Sequence, residues 1–307
     1  MQGTIMLVSC YNKNVHKIAI ILNEHSGNGV KQKALYKALE GHKEQVKVYV
    51  CNPTQTITEM VREAWNTGSK IIVAAGGDGT VSSVASAILE LKIEAKLGVV
   101  PVGTLNHFAH DIGMPKSIEE SIEIILKGNS SFIDAVKINN KYFINNSSLG
   151  IYPFMVEERK TIKHRWYGKW VGMALSGITT IKRYPFITVE FENNGKKLVR
   201  KTPFIFIGNN TYDTTAGNLG SRKKINEGKL SIFIAHSLTR LALIKLLWHA
   251  LRGRLLEQKD FDSIGLAKVE IKSRKRKIHV ALDGEVVSMK GPLLYSIAPK
   301  ALHVIIP

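Results

Sequence analysis

Cysteine is nearly absent from this chain. Cys10 and Cys51 are the only two, which excludes a disulfide framework and a cysteine-based zinc site. Long apolar runs are absent as well: no stretch approaches the roughly 20 residues that a membrane-spanning helix needs. Met1 to Val15 lacks a basic segment followed by a long apolar run, so no secretory signal is expected there and the chain is expected to stay in the cytosol. That lead-in reads as loosely ordered. Acidic residues are scarce: 25 Asp+Glu stand against 43 Lys+Arg, a formal net charge of +18 over 307 residues. Such a field favours an anionic partner, nucleic acid or an acidic membrane surface. No base-stacking or recognition motif accompanies the charge, so nucleic acid is not expected. A hydrophobic fraction of 44% and a mean hydropathy of -0.02 describe a globular chain long enough for one large domain or two modest ones.

What is present is organised around residues 70–81. Lys70-Ile71-Ile72-Val73-Ala74-Ala75 reads as a buried strand, and it runs into Gly76-Gly77-Asp78-Gly79-Thr80. Val81 to Leu89 then reads as a helix with one apolar face. Strand, glycine turn and helix together bring backbone N–H groups and a helix N-terminus against phosphates. Glycine is needed because a Cβ would block the close approach.

Elements of the same kind surround it. Lys17–Leu22 reads as a strand entering the polar turn Asn23-Glu24-His25-Ser26-Gly27-Asn28-Gly29. Lys31–Glu40 reads as a helix, Gln45–Val50 as a strand and Thr56–Asn66 as a helix. Lys96–Val100 is a strand ending in Pro101-Val102-Gly103-Thr104-Leu105-Asn106-His107-Phe108. Alternating strands and helices argue for a parallel sheet covered on both faces. The small-residue turns then gather on one edge, where such sheets bind ligands.

Near Ile133-Asp134 the pattern changes to short strands: Ala135–Ile138, Lys141–Asn145, Ile187–Glu192, Phe204–Gly208, Leu230–Ala235, Lys268–Lys272 and Lys277–Leu282. Asn139-Asn140 and Asn193-Asn194-Gly195 read as hairpin turns. Two helical insertions interrupt this part. Arg159–Arg183 interleaves basic residues with Trp166, Tyr167 and Trp170, which reads either as a headgroup-level membrane contact or as a core helix with a solvated flank. Ser237–Glu257 is amphipathic, with Ile244, Leu247, Leu251 and Leu255 on one face, and reads first as a helix packed on its own domain. Lys272-Ser273-Arg274-Lys275-Arg276-Lys277 reads as an anionic contact or as a solvated hairpin tip. Ile278–Leu282 alternates like a strand and ends in Asp283-Gly284-Glu285, two carboxylates around a glycine.

Asn23–Gly27, Gly76-Gly77-Asp78-Gly79-Thr80, Gly103-Thr104-Leu105-Asn106-His107-Phe108-Ala109 and Asp283-Gly284-Glu285, in this order, resemble the motif set of the diacylglycerol kinase catalytic family in its soluble bacterial lipid-kinase branch. That branch is related to sphingosine kinases and NAD kinases. The resemblance implies a fold of α/β plus β class. A nucleotide-binding α/β domain (residues 1–134, with a C-terminal return over about 293–307) would precede a β-sandwich lipid-substrate domain (135–292), and Ala301–Ile306 would be the returning strand. It implies ATP and Mg²⁺, with Asn23, Ser26, Gly27, Gly76, Gly77, Asp78, Gly79, Thr80, Gly103, Thr104 and Asn106 around the nucleotide. Glu285 would be the general base, with Asp283 beside it, and Asp78 and Asp283 would hold Mg²⁺. The acceptor would be a lipid such as diacylglycerol at the cytosolic membrane face, reached by reversible attachment to the inner leaflet. Homodimerisation through an exposed edge strand is left open.

Glu24 stands where the family usually has proline, and His107 where many members have Asp. The segment Asn226–Ser231 resembles one that supplies a structural Mg²⁺ site, but Asn226 and Ser231 replace Asp there, so hard oxygen ligands are fewer and less charged. Two other readings stand beside the lipid kinase: a NAD-kinase-like enzyme on a soluble acceptor, and a catalytically weak nucleotide- or lipid-binding protein.

Overall fold

The computed structural model describes residues 17–24, 26, 29–150, 153, 187–193, 196–212, 222, 224–235, 261–273 and 276–307. The lead-in, Gly27 and both helical insertions lie outside the described residues.

The first half alternates as expected: β1 (Ile18–Leu22), α1 (Gly29–Leu39), β2 (Val46–Val50), α2 (Ile57–Asn66), β3 (Ile71–Gly76), α3 (Asp78–Leu91), β4 (Lys96–Pro101), α4 (His107–Asp111) and α5 (Ile118–Lys127). The strands are parallel in the order β2-β1-β3-β4. Every residue of β1 is buried, because helices cover both faces of the sheet. Alternation decides which face each side chain serves. Ala19, Ile21, Ile72, Ala74, Leu97 and Val99 pack with α2, α3 and α4. Ile18, Ile20, Leu22, Val73, Ala75 and Val100 pack with α1 and α5. Thr56 is the cap of α2 rather than its first helical residue: its hydroxyl accepts from the Glu59 amide, and the Glu59 carboxylate accepts from the Thr56 amide at 2.8 Å, a capping box.

The described elements of the second half are strands: β5 (Ser130–Ile138), β6 (Lys141–Phe143), β7 (Asn146–Gly150), β8 (Ile187–Asn193), β9 (Lys196–Thr202), β10 (Phe204–Asn209), β11 (Leu230–Ala235), β12 (Phe261–Leu266), β13 (Lys268–Ser273), β14 (Lys277–Leu282), β15 (Glu285–Lys290) and β16 (Leu293–Ile305). β16 lies parallel to β4, with Val304 opposite Leu97, and antiparallel to β5 and β13. The parallel sheet therefore continues into a ten-stranded mixed sheet, and β12-β11-β10-β7-β14-β15 form a six-stranded antiparallel sheet. Val136, Ile138, Val269, Ile271, Leu293 and Tyr295 of the first sheet meet Leu149, Ile205, Ile207, Ile232, Ile234 and Val280 of the second in one core, which makes the sandwich. β5 runs across the 134/135 boundary, with Ile133 and Ala135 in an α/β core and Val136 and Ile138 in the sandwich core.

One expectation is corrected. The basic run Lys272–Lys277 is not a hairpin tip, because β13 belongs to the ten-stranded sheet and β14 to the six-stranded one. It is a crossover between the layers. Adjacent strands in sequence suggest a hairpin, but pairing is decided by which face each strand buries.

Candidate active site

The carboxyl ends of β1, β3 and β4 meet on one edge because these strands are parallel. Asn23, just after β1, donates its amide to Ala75 O at 3.0 Å and its Nδ2 to Thr80 Oγ1 at 3.1 Å. The Ser26 amide closes the same turn onto Asn23 O at 3.0 Å. The Gly103 amide donates to Gly76 O at 3.1 Å, which ties the turn after β4 to the turn after β3. A Cβ on Gly103 would fall on the Gly77 backbone, which cannot step aside, and one on Gly76 would strike the buried Thr80 side chain. Gly79 faces open space. Thr104 is exposed.

Asp78 opens α3, where a carboxylate suits the helix dipole. Its Oδ1 accepts from the Phe108 amide at 3.1 Å, and its Oδ2 has no hydrogen bond among the described residues. Asn106 caps α4 in the left-handed region, φ 54°. Its Nδ2 donates to Gly103 O at 2.9 Å and Pro101 O at 3.3 Å. Its Oδ1 is buried and unpartnered among the described residues. Lys31 of α1 reaches over to Gly103 O at 2.9 Å.

The second domain reaches this edge through the turn between β14 and β15. Leu282 pairs with Glu285, so Asp283 and Gly284 are a two-residue hairpin loop, with φ 47° and 90°. Both values are positive, as a type I′ turn requires, and Asp-Gly is a preferred pair for it. The Asp283 side chain points back into the protein. Its Oδ1 accepts from the amides of Asn145 at 2.8 Å and Asn146 at 2.9 Å. Its Oδ2 accepts from the Ile144 amide at 2.9 Å and from the Ser82 hydroxyl of α3. Burial pushes the Asp283 pKa above its ordinary value, and the Ser82 hydroxyl and the three amides pull against that shift. Asp283 thus fastens the turn to the helix that begins at Asp78. Ser82 lies one helical turn beyond Asp78, on the same face.

Glu285 is exposed and has no partner among the described residues. It lines a cleft of about 300 Å³ between α3 and the β14–β15 turn, together with Ser82, Ser83, Ser86, Glu90 and Lys141.

The structure therefore gathers Asn23, Ser26, Gly76, Gly77, Asp78, Gly79, Thr80, Gly103, Thr104 and Asn106 on one edge and fastens Asp283 to α3, which leaves Glu285 in the cleft beside that helix. Sequence reasoning missed Lys31, Ser82 and the 144–146 amides. A signal for Ser82 exists: Ser82, Ser83, Ser86 and Glu90 form a polar stripe on an otherwise apolar helix.

The edge fits a nucleotide phosphate. Among the described residues no side chain caps α3, whose N-cap is Gly77, so its first-turn amides are not taken by a cap, and the buried Asn106 Oδ1 has no donor. It also fits Mg²⁺, which is commonly bound by one or two carboxylates plus phosphate oxygens rather than by an all-protein cage. The unbonded Oδ2 of Asp78 supplies one such oxygen. Asp283 is a poorer ligand, because four donors already fill its two oxygens.

The chain is similar to known proteins. The family model for the diacylglycerol kinase catalytic domain matches residues 17–138, and that for the YegS C-terminal NAD kinase beta sandwich-like domain matches 155–306. A diacylglycerol kinase of Bacillus subtilis (strain 168) is 26% identical over 295 residues, covering 94% of this chain and 95% of the relative. One from Staphylococcus aureus is 25% identical over 237 residues, 76% of this chain and 75% of its own length. The crystal structure of a diacylglycerol kinase from Bacillus anthracis superposes with a TM-score of 0.68 at 19% identity, covering 95% of this chain and 97% of that one, and so shares the fold. With both domains matched in order, the chain belongs to the diacylglycerol kinase catalytic family and is a kinase of lipid hydroxyls.

Proposed function

We propose that this protein transfers the γ-phosphate of ATP to a hydroxyl of a diacylglycerol-type lipid at the inner face of the membrane. One observation carries the reading. Glu285, exposed and with no side-chain partner among the described residues, lines a cleft on the helix whose first turn is the glycine edge.

Asn23, Ser26, Gly27, Gly76, Gly77, Gly79, Thr80, Gly103, Thr104 and Asn106 surround the nucleotide in this reading, Gly27 by the family resemblance alone. The N-terminal amides of α3 receive phosphate oxygens, which is what a helix N-terminus favours. Asp78 offers its unbonded Oδ2 to Mg²⁺, and the metal when bound neutralises charge on the transferring phosphates. Glu285 takes the proton of the acceptor hydroxyl as that oxygen bonds to the γ-phosphorus and the bond to the ADP oxygen breaks. Asp283 holds the turn through its four donors and so positions Glu285. The cleft is small and mixed in character, with Ser82, Ser86 and Lys141 beside Ile57, Leu282 and Val287, so it suits a headgroup and the first carbons of a lipid, with the rest of the acyl chains left outside it.

The charge of +18 supports reversible attachment to anionic lipid from the cytoplasm. Moderate salt then releases the protein from anionic vesicles. Among the described residues no helix is long and apolar enough to cross a membrane.

The test is transfer of labelled γ-phosphate from ATP·Mg²⁺ into diacylglycerol-containing vesicles, with Glu285→Gln in parallel. A labelled lipid that disappears in the variant supports the reading. Transfer to a water-soluble alcohol without lipid, or ATP binding with no transfer, overturns it.

A further inference from the structure

One buried cation remains outside this account. Arg222 lies between the domains with its side chain 1% exposed, and Asp111, the last residue of α4, faces it at 5%. Nε and Nη2 both reach Asp111 Oδ2 at 2.8 Å. The other side of the guanidinium faces the second domain. Nη1 donates to Ile144 O at 2.7 Å, and Nη2 donates to Asn145 Oδ1 at 2.8 Å. Asn209 adds its Nδ2 to Ile144 O at 2.8 Å, and the Tyr212 hydroxyl donates to Asn145 O at 2.9 Å.

Residues 144–146 are therefore gripped from two sides. The Ile144 and Asn145 carbonyls and the Asn145 side-chain oxygen are held by Arg222, Asn209 and Tyr212, while the N–H groups of 144–146 are held by the Asp283 carboxylate. Asp111 ends the helix that begins just after the Gly103–Asn106 turn, so one guanidinium links the glycine edge of the first domain to the segment that seats the Asp283 turn.

We infer that Arg222, locked to Asp111, is a positioning residue that sets where Glu285 stands against α3. The inference rests on the reading above, in which Glu285 accepts the hydroxyl proton. Geometry explains why arginine is needed. A planar fork serves the Asp111 carboxylate, a backbone carbonyl and an amide oxygen at once, whereas the ammonium of a lysine is a point charge on a flexible stem. Reaction rates answer to such placement: a displacement of about 1 Å costs on the order of 10²-fold.

The experiment uses the full chain with diacylglycerol vesicles and labelled ATP, and compares the wild type, Arg222→Lys, Glu285→Gln and the double variant. Arg222→Lys is expected to lower kcat by about 10- to 100-fold, to leave KM for ATP within about twofold, and to speed hydrogen exchange at the amides of 144–146. In the Glu285→Gln background the same change is expected to cost less than about threefold, because a residue acting through Glu285 has nothing left to position. A natively folded Arg222→Lys with kcat within about threefold of wild type overturns the inference. So does an equal loss in both backgrounds, which a merely structural role would give. Should Arg222→Lys not fold, Asp111→Asn is held to the same thresholds. If Glu285→Gln alone retains full activity, the general-base reading fails; unchanged exchange protection at 144–146 in Arg222→Lys separately overturns the clamp.

Discussion

At the glycine edge the backbone itself is the working surface. A Cβ on Gly103 would collide with the Gly77 backbone and one on Gly76 with the Thr80 side chain, and amides of one turn bond carbonyls of the next. At Asp283-Gly284-Glu285 the backbone is instead the mounting for a side chain. Two carboxylates stand two residues apart, yet one is filled by four donors and the other is exposed with none among the described residues. The first region selects by shape and admits no added atom at Gly76 or Gly103. The second divides labour between a carboxylate that anchors and a carboxylate that reacts. Chemically identical groups acquire different work from their surroundings alone.

The sharpest way to break this contrast is Glu285→Gln. Phosphate transfer is expected to fall by about 10²–10⁴-fold, with ATP affinity within about threefold and the melting temperature unchanged, since the side chain is exposed. A stability loss comparable to that of an anchor variant would erase the division of labour. Ser82→Ala is the counterpart on the anchoring carboxylate. Loss of a hydrogen bond to a charged group is expected to cost about 1.5–3 kcal/mol in urea denaturation, with a smaller loss of turnover than Glu285→Gln. Gly103→Ala tests the backbone edge. Overpacking is expected to cost about 1–3 kcal/mol and to weaken nucleotide binding measured by titration, while Ser82→Ala leaves nucleotide affinity alone.

Tyr212→Phe is the mildest. Removing its hydrogen bond to Asn145 O is expected to cost about 1 kcal/mol at neutral pH. The Tyr212 phenol is pushed up to about 12 by burial, from an ordinary value of 10.0. Its folded pKa is raised, so its contribution is complete below pH 10.0 and is lost as pH rises toward 12. The stability difference between wild type and Tyr212→Phe should therefore shrink across that interval, as followed by denaturation together with phenolate absorbance.

Much of the fold was legible because its signals are local. β3 announces itself as an apolar run, and the turn after it as glycines around Asp78. The Asp283-Gly284 turn is likewise written in two adjacent residues. The anchoring of Asp283 could not be read, because Ser82 and the 144–146 amides lie far away in the chain. Arg222 stands beside Lys223 and Lys224, and nothing in sequence separates the buried member from a solvated basic run. The change of sheet between β13 and β14 was hidden for the same reason. Strand residues record which face is apolar but not which sheet will cover it.

β16 also bears on how the protein is made. β4 is complete by Pro101, yet its neighbour on one side is Val304, which emerges most of a chain length later. At ribosomal rates of about 5–20 residues per second the edge of β4 waits roughly 10–40 s for its partner. Until then the nucleotide half is an open sheet whose last strand, β4, has one unpaired edge, a template for pairing with other nascent chains. Two-domain architecture here does not mean two independent folding events: the first half closes only when the second has been threaded back through it. Nascent chains stalled before β16 should therefore depend on chaperones and remain sensitive to protease, even though every residue of the glycine edge has already been synthesised.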